Sequence, residues 1–266
     1  MRLRIPALLA TATLIATSAV AISVAAPATA SGPVTGDVWW HHLTAERTLA
    51  PVVYGETFAD IQSQLSTYRA EGYQAINVNW PVSGGPTSIY GGFVANDWYS
   101  ADSRLAAPGT NADTDWENLV QAAHDDGLKV TAWFNPGYLW TGSSLFQQAA
   151  ADVAPYGPNR ANQPADSPAR YFEWRLGAGA VTKPGDSCGG SYLSQRWVTD
   201  PDATYAGQTV SYYGIWSDQP SGDYSSTEWQ TYITGALDHW LDTGLDGFVF
   251  DAPQYQLNCN AACIGS

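Results

Sequence analysis

An alternation of helix-patterned and strand-patterned segments, each helix closed by a glycine, constrains this chain more than any other feature. Phe58, Ile61, Leu65 and Tyr68 fall at helical spacing over Phe58 to Glu71, with Thr57 placed to cap the helix and Gly72 to end it. A short strand is expected before that helix, at Val52-Val53-Tyr54, and a second after it, at Ala75-Ile76-Asn77-Val78. A loop rich in Gly, Pro, Ser and Tyr runs to about Ala112. Trp116, Leu119, Val120 and Ala123 then mark another helix, ended by Gly127, and Lys129 to Trp133 reads as a third strand. Strand, helix, strand, helix, strand with right-sized connections predicts parallel strands covered by helices.

From Phe134 to about Ser226 that rhythm breaks, with one helical candidate near Leu145 to Val153. A stretch this long inside a domain reads as an inserted loop subdomain, at about 134–226. The rhythm then resumes. Trp229, Ile233, Leu237 and Trp240 share a helix face, Gly244 ends the helix, and Gly247-Phe248-Val249-Phe250-Asp251 is a strand finishing in an acid. Four strands are too few for a closed eight-stranded barrel. A doubly wound nucleotide fold would want a glycine-rich turn after the first strand, and Gly55-Glu56-Thr57 does not supply one.

The first thirty residues read as an export signal. Arg2 and Arg4 precede an apolar run from Ile5 to Ala26, and Ala28-Thr29-Ala30 offers a cleavage site before Ser31. The expected location is therefore secreted and extracellular, with no membrane association after signal cleavage. Three cysteines agree with export, and their odd number leaves open whether Cys188 pairs with Cys259 or Cys259 with Cys263. With 11 basic and 25 acidic residues the formal charge is −14, which repels phosphate backbones and excludes nucleic acid as a partner. Rings are abundant, with 12 Trp and 15 Tyr, and flat aromatic faces suit the apolar faces of sugars.

The segment from Trp240 to Ala252 carries the chemistry: a helix stopped at Gly244, a strand opened by Gly247, and Asp251 at the strand's C-terminal end. Carboxylates at that end of a barrel strand point into the mouth where barrel enzymes act. This segment closely resembles the nucleophile-bearing strand of the α-amylase superfamily (glycoside hydrolase family 13). Other pieces follow the family's order: Phe58 to Ile61, Gly72 to Val78, Gly92-Phe93, Asp97-Trp98-Tyr99, Gly109-Thr110, Asp115-Trp116, Gly127 to Val130, Asp218-Gln219-Pro220 and Asp223-Tyr224. The resemblance covers about residues 52–252 and implies an α/β fold, an incomplete TIM (β/α)8-type barrel, N-terminal portion only, with a long insertion after the third strand. It also implies a secreted glycoside hydrolase acting on α-glucans or related oligosaccharides by a retaining mechanism, with Asp251 as nucleophile. Phe93, Trp133, Tyr138 and Trp140 are the rings expected near sugar.

Three departures qualify that expectation. Trp133 stands where the family's third strand carries an Asp, Gly137-Tyr138 where an Asn-His pair follows, and Val249 where an Arg precedes the nucleophile. A neighbouring positive charge normally keeps such a carboxylate ionised, so the last change removes one support. Retaining hydrolysis also needs a second carboxyl roughly 5–5.5 Å away, and no acid follows Asp251 in the sequence. The expectation is therefore a chain truncated before its general acid, with a non-catalytic carbohydrate-binding relative as the alternative. Asp97, Asp102, Asp218 and Asp223 read as solvated or capping loop acids, and His41, His42, His124 and His239 as packing or surface groups. No cofactor is expected; calcium enters only through the family resemblance, and the missing Asn-His pair speaks against it.

Overall fold

The first strand of the structure is not the expected one. In this computed structural model, which describes residues 38–87, 93–179, 196–216 and 218–251, β1 is Glu46–Leu49 and the Val52-Val53-Tyr54 segment belongs to a helical turn, α1 (Pro51–Tyr54). The physical reason is local. Pro51 at the first helical position has its backbone angle preset for a helix, and Gly55 closes the turn in the left-handed region at φ 69°. The export signal and the three cysteines lie outside the described residues. The chain divides into two units, Met1–His41 and His42–Ser266. In the first, the rings of Trp39 and Trp40 meet edge-on at 6.0 Å.

In the second unit the expected first helix is two pieces, α2 (Phe58–Gln62) and α3 (Leu65–Ala70). Thr57 caps α2 reciprocally: its hydroxyl accepts from the Asp60 amide at 3.2 Å and Asp60 accepts from the Thr57 amide at 2.8 Å. Next come β2 (Ala75–Asn79), α4 (Ala112–Asp125) and β3 (Lys129–Phe134). Gly72 at φ 94° and Gly127 at φ 75° turn the chain after α3 and α4.

The insertion follows β3. It holds α5 (Ser144–Tyr156), which contains the helical candidate, and then four strands that sequence patterning passed over: β4 (Trp174–Leu176), β5 (Arg196–Tyr205), β6 (Gln208–Trp216) and β7 (Gln219–Pro220). β4, β6 and β5 form an antiparallel sheet in that order, with β7 paired to β6. Ala206 at φ 50° and Gly207 at φ 76° make the two-residue turn between β5 and β6, the backbone pattern of a type I′ hairpin. The chain closes its described part with α6 (Thr227–Asp242) and β8 (Gly247–Phe250).

β1, β2, β3 and β8 are parallel neighbours in that order. This is an incomplete (β/α) barrel with helices on one face of the sheet. The helix-facing side chains, among them Ile76, Val78, Val130, Ala132 and Phe134, are fully buried. Phe134 stacks on Trp98 at 5.6 Å and meets Trp240 and Phe248 edge-on at 5.5 and 5.0 Å. Trp116 bridges Phe58 of α2 and Trp240 of α6 at 5.5 and 5.3 Å. In this cluster the Trp240 indole N–H donates to the Trp98 carbonyl at 2.7 Å and that of Trp116 to the Thr243 hydroxyl at 2.8 Å.

The opposite face of the sheet is the barrel interior, and its lower part carries a polar chain of side chains. Asn77 Nδ2 donates to Thr131 Oγ1 at 2.7 Å, and Thr131 donates on to Glu46 Oε1 at 2.7 Å. That chain ties three adjacent strands together across their inner surface. It also explains why β1 escapes detection, since Glu46 and Thr48 are spent on the interior and Arg47 is exposed.

Candidate active site

Alternation along β3 and β8 decides which residues enter the barrel mouth. Phe134 and Phe248 pack against the helices, so Trp133 and Val249 face inward, and the two are register partners. One pleat further on, Asn135 and Asp251 leave the strand ends on the same inner side. The Asp251 amide donates to the Phe134 carbonyl at 2.8 Å, extending the parallel ladder to the carboxylate itself. Asp251 is half-buried.

Asn135 connects the site. Only 1% exposed, it donates from Nδ2 to Tyr138 Oη at 2.9 Å and over a long 3.4 Å to Asp251 Oδ2. Its own Oδ1 accepts from the Gly137 amide at 3.3 Å, which fixes the side chain's orientation. Tyr224 donates to the Pro136 carbonyl at 2.8 Å beneath this turn, and burial pushes its phenol up. Of the residues expected from sequence, the structure therefore joins Asp251 and Tyr138 through Asn135, with Trp133 on the same face.

Phe93 is half-buried and meets Trp80 edge-on at 6.2 Å. Trp80 is itself unusual. It directly follows β2 with φ 59°, a conformation costly for a bulky residue, and its ring is wedged between Phe93 and Trp98, the latter at 5.8 Å. Beside it Asn79 is the register partner of Trp133, and its buried Oδ1 has no hydrogen-bond partner among the described residues. Trp140 is placed elsewhere, in a cleft lined by α5, the middle of β5 and Tyr212 of β6.

Three of the four loop acids, Asp97, Asp102 and Asp223, are occupied by structure. Asp102, 2% exposed, pairs with Arg104 and accepts from the Arg104 and Gly84 amides at 2.9 and 3.1 Å. Asp223, 3% exposed, pairs with Arg160 and accepts from the Ser225 amide and hydroxyl at 2.8 and 2.7 Å. Asp97 accepts from the Tyr99 amide at 3.1 Å and from the Ser100 hydroxyl. No group of three or more His, Cys, Asp or Glu able to hold a metal ion occurs among the described residues. No helix among them is long and apolar enough to cross a membrane.

Sequence reasoning missed Asn135, Asn79 and Trp80. Asn135-Pro136-Gly137 carries a turn signal directly after a strand, which would have located Asn135 at a strand end. Nothing in the sequence marks the positive φ of Trp80.

An inward carboxylate stands at the tip of a parallel strand inside an incomplete (β/α) barrel, and comparison with known proteins shows what the chain is similar to. No family model matches the chain. It is 28% identical over 148 residues to an alpha-glucosidase of Apis mellifera, covering 53% of this chain and 23% of that protein. To alpha-amylase 3 of Dictyoglomus thermophilum it is 22% identical over 181 residues, covering 68% and 30%. It is also 27% identical over 145 residues to the amino acid transporter heavy chain SLC3A1 of Rattus norvegicus, covering 54% and 19%. Among solved structures, the alpha-glucosyl transfer enzyme XgtA superposes with a TM-score of 0.62 at 20% identity, over 84% of this chain and 38% of that one. The trehalulose synthase MutB from Pseudomonas mesoacidophila MX-45 gives 0.60 at 17%, over 82% and 36%. The chain thus resembles part of an α-amylase-superfamily barrel, and it spans less than a third of the length of these curated relatives.

Proposed function

We propose that this chain is part of a secreted, retaining glycoside-acting enzyme of the α-amylase type, with Asp251 as the nucleophile that attacks the anomeric carbon of an α-glucan or related oligosaccharide. The observation that carries this reading is the placement of Asp251 on the inner face at the C-terminal tip of β8, with Asn135 at 3.4 Å. The carboxylate forms a glycosyl ester as the aglycone departs, and water later cleaves that ester. Asn135 orients the carboxylate and Tyr138, while Trp133 offers an apolar ring beside the reacting sugar. Departure of a natural aglycone needs a proton donor. No acid lies between residues 252 and 266, and this reading assigns no residue as that donor.

A substrate with a fluoride leaving group removes that requirement, because fluoride departs without protonation. A 5-fluoro-α-glucosyl fluoride mixed with the full chain should release a burst of about one equivalent of fluoride. Asp251→Asn should abolish the burst. No burst above the Asp251→Asn level contradicts the proposal.

A second reading, a non-catalytic carbohydrate-binding relative, is favoured by one specific feature. Trp133 and Val249, register partners flanking the carboxylate on the inner face, are both uncharged where the family carries an Asp and an Arg. Maltooligosaccharide binding measured by calorimetry, together with no fluoride burst, selects it.

A further inference from the structure

We infer that the cleft around Trp140 is a second carbohydrate-binding position, separate from the Asp251 site and shaped for a single neutral hexopyranose ring. None of Trp133, Asn135, Tyr138 or Asp251 lines this cleft. The inference goes beyond the catalytic reading and rests on it only for the choice of a sugar as the natural ligand.

The cleft has a volume of about 230 Å³ and lies between the turn after β3, the first turn of α5 and the bulge in β5. That is below the roughly 300–1,000 Å³ typical of pockets for drug-sized ligands, so it admits one ring rather than an oligosaccharide. Its wall is a built feature. The Trp140 indole lies against two glycines from different parts of the chain, Gly85 and Gly142. A Cβ on Gly142 would come within 2.3 Å of the indole, and one on Gly85 within 3.2 Å. The Trp140 amide donates to the Ala95 carbonyl at 2.8 Å and its carbonyl accepts from the Ser143 amide at 3.0 Å, so the backbone under the ring is pinned on both sides.

The polar wall is built as well. Asp200 is 5% exposed, and its Oδ1 accepts from the Asp202 and Ala203 amides at 2.9 and 3.1 Å, which holds the bulge open. Burial raises its carboxyl pKa against those two hydrogen bonds, and its carboxyl oxygens are acceptors for sugar hydroxyls. Asp202 stands exposed at the rim, and Gln147 donates to the Thr141 carbonyl at 2.7 Å. A flat half-exposed indole facing carboxyl and amide groups matches a ring with an apolar C–H face and a hydroxyl edge. Two acids in so small a space disfavour phosphorylated or carboxylated sugars.

The test is a nuclear magnetic resonance titration of the full chain with methyl α-D-glucopyranoside, following the Trp140 indole N–H assigned through Trp140→Phe. We expect that resonance to move at millimolar ligand in the wild type and equally in Asp251→Asn. Trp140→Ala should weaken binding at this cleft by roughly tenfold or more, as loss of a central aromatic contact does. Asp202→Asn, an exposed change that leaves the bulge intact, should shift the affinity without altering the melting curve, which keeps the test valid if Trp140→Ala fails to fold. Glucose 6-phosphate should bind more weakly than the glucoside. An unmoved Trp140 resonance, or shifts confined to residues around Asp251, overturns the inference. Movement of Trp140 in a protein that gives no fluoride burst leaves it standing while the catalytic reading falls.

Discussion

The two ends of β8 carry two aspartates five residues apart, and they are treated in opposite ways. At the N-terminal end Asp246, its side chain 10% exposed, accepts from Lys129 Nζ at 2.7 Å, His124 Nε2 at 2.7 Å and the Val130 amide at 2.8 Å. Burial alone would raise its pKa, but the Lys129, Val130 and His124 hydrogen bonds outweigh it and hold the carboxyl below its ordinary range. At the C-terminal end Asp251 stands in the mouth beside the amide of Asn135. The first arrangement clamps α4, β3 and β8 together; the second leaves a carboxylate where a ligand would enter. In (β/α) barrels that division is general, with stability at the bottom and chemistry at the top.

This contrast can be broken by substitution. The largest expected effect is at the bottom: Asp246→Ala should destabilise the chain by about 2–4 kcal/mol in urea unfolding, because it strands a lysine, a histidine and a buried amide at once. The partial exposure of Lys129 keeps the figure at the lower end. A depressed folded pKa means that the Asp246 contribution is present above the unfolded carboxylate value, near pH 4, and lost as pH falls through the folded value. Asp246→Asn should therefore flatten the loss of stability on acidification below about pH 4, and an unchanged acid limb would contradict the clamp. In the middle of the sheet, Thr131→Val should cost about 1–3 kcal/mol, since it leaves Asn77 and Glu46 without their shared partner. At the top, Asp251→Asn should change the unfolding free energy by no more than about 0.5 kcal/mol. A larger destabilisation there would make Asp251 another structural acid and erase the distinction between the ends.

Much of this architecture could be read from residue patterns. The strands at Ala75, Lys129 and Gly247 are apolar runs that follow glycine-terminated helices, and the parallel sheet places them as neighbours. Strand β1 was hidden because Glu46 and Thr48 serve a polar interior, while Val52 and Val53 mimic a strand but follow a proline that sets a helical turn. The antiparallel sheet was hidden for a different reason. β5 is interrupted by Asp200-Pro201-Asp202 at a register shift, and its hairpin turns on Ala206, a residue that rarely takes a positive φ. The placement of Asp251 at a strand end was legible because an acid closes an apolar strand, and its expected role came from the family resemblance. Asn135 was not, since its role depends on Tyr138 and on a residue 116 positions away.

The central claim concerns one bond, between Asp251 and a sugar carbon. Peptide mapping by mass spectrometry of the chain after treatment with the fluorinated glucosyl fluoride reads that bond directly. A single glycosyl mass increment on the peptide containing Gly247 to Asp251, fragmenting to Asp251 itself, is the predicted result. An increment on any other carboxylate, or an unmodified Asp251 after full fluoride release, would contradict it.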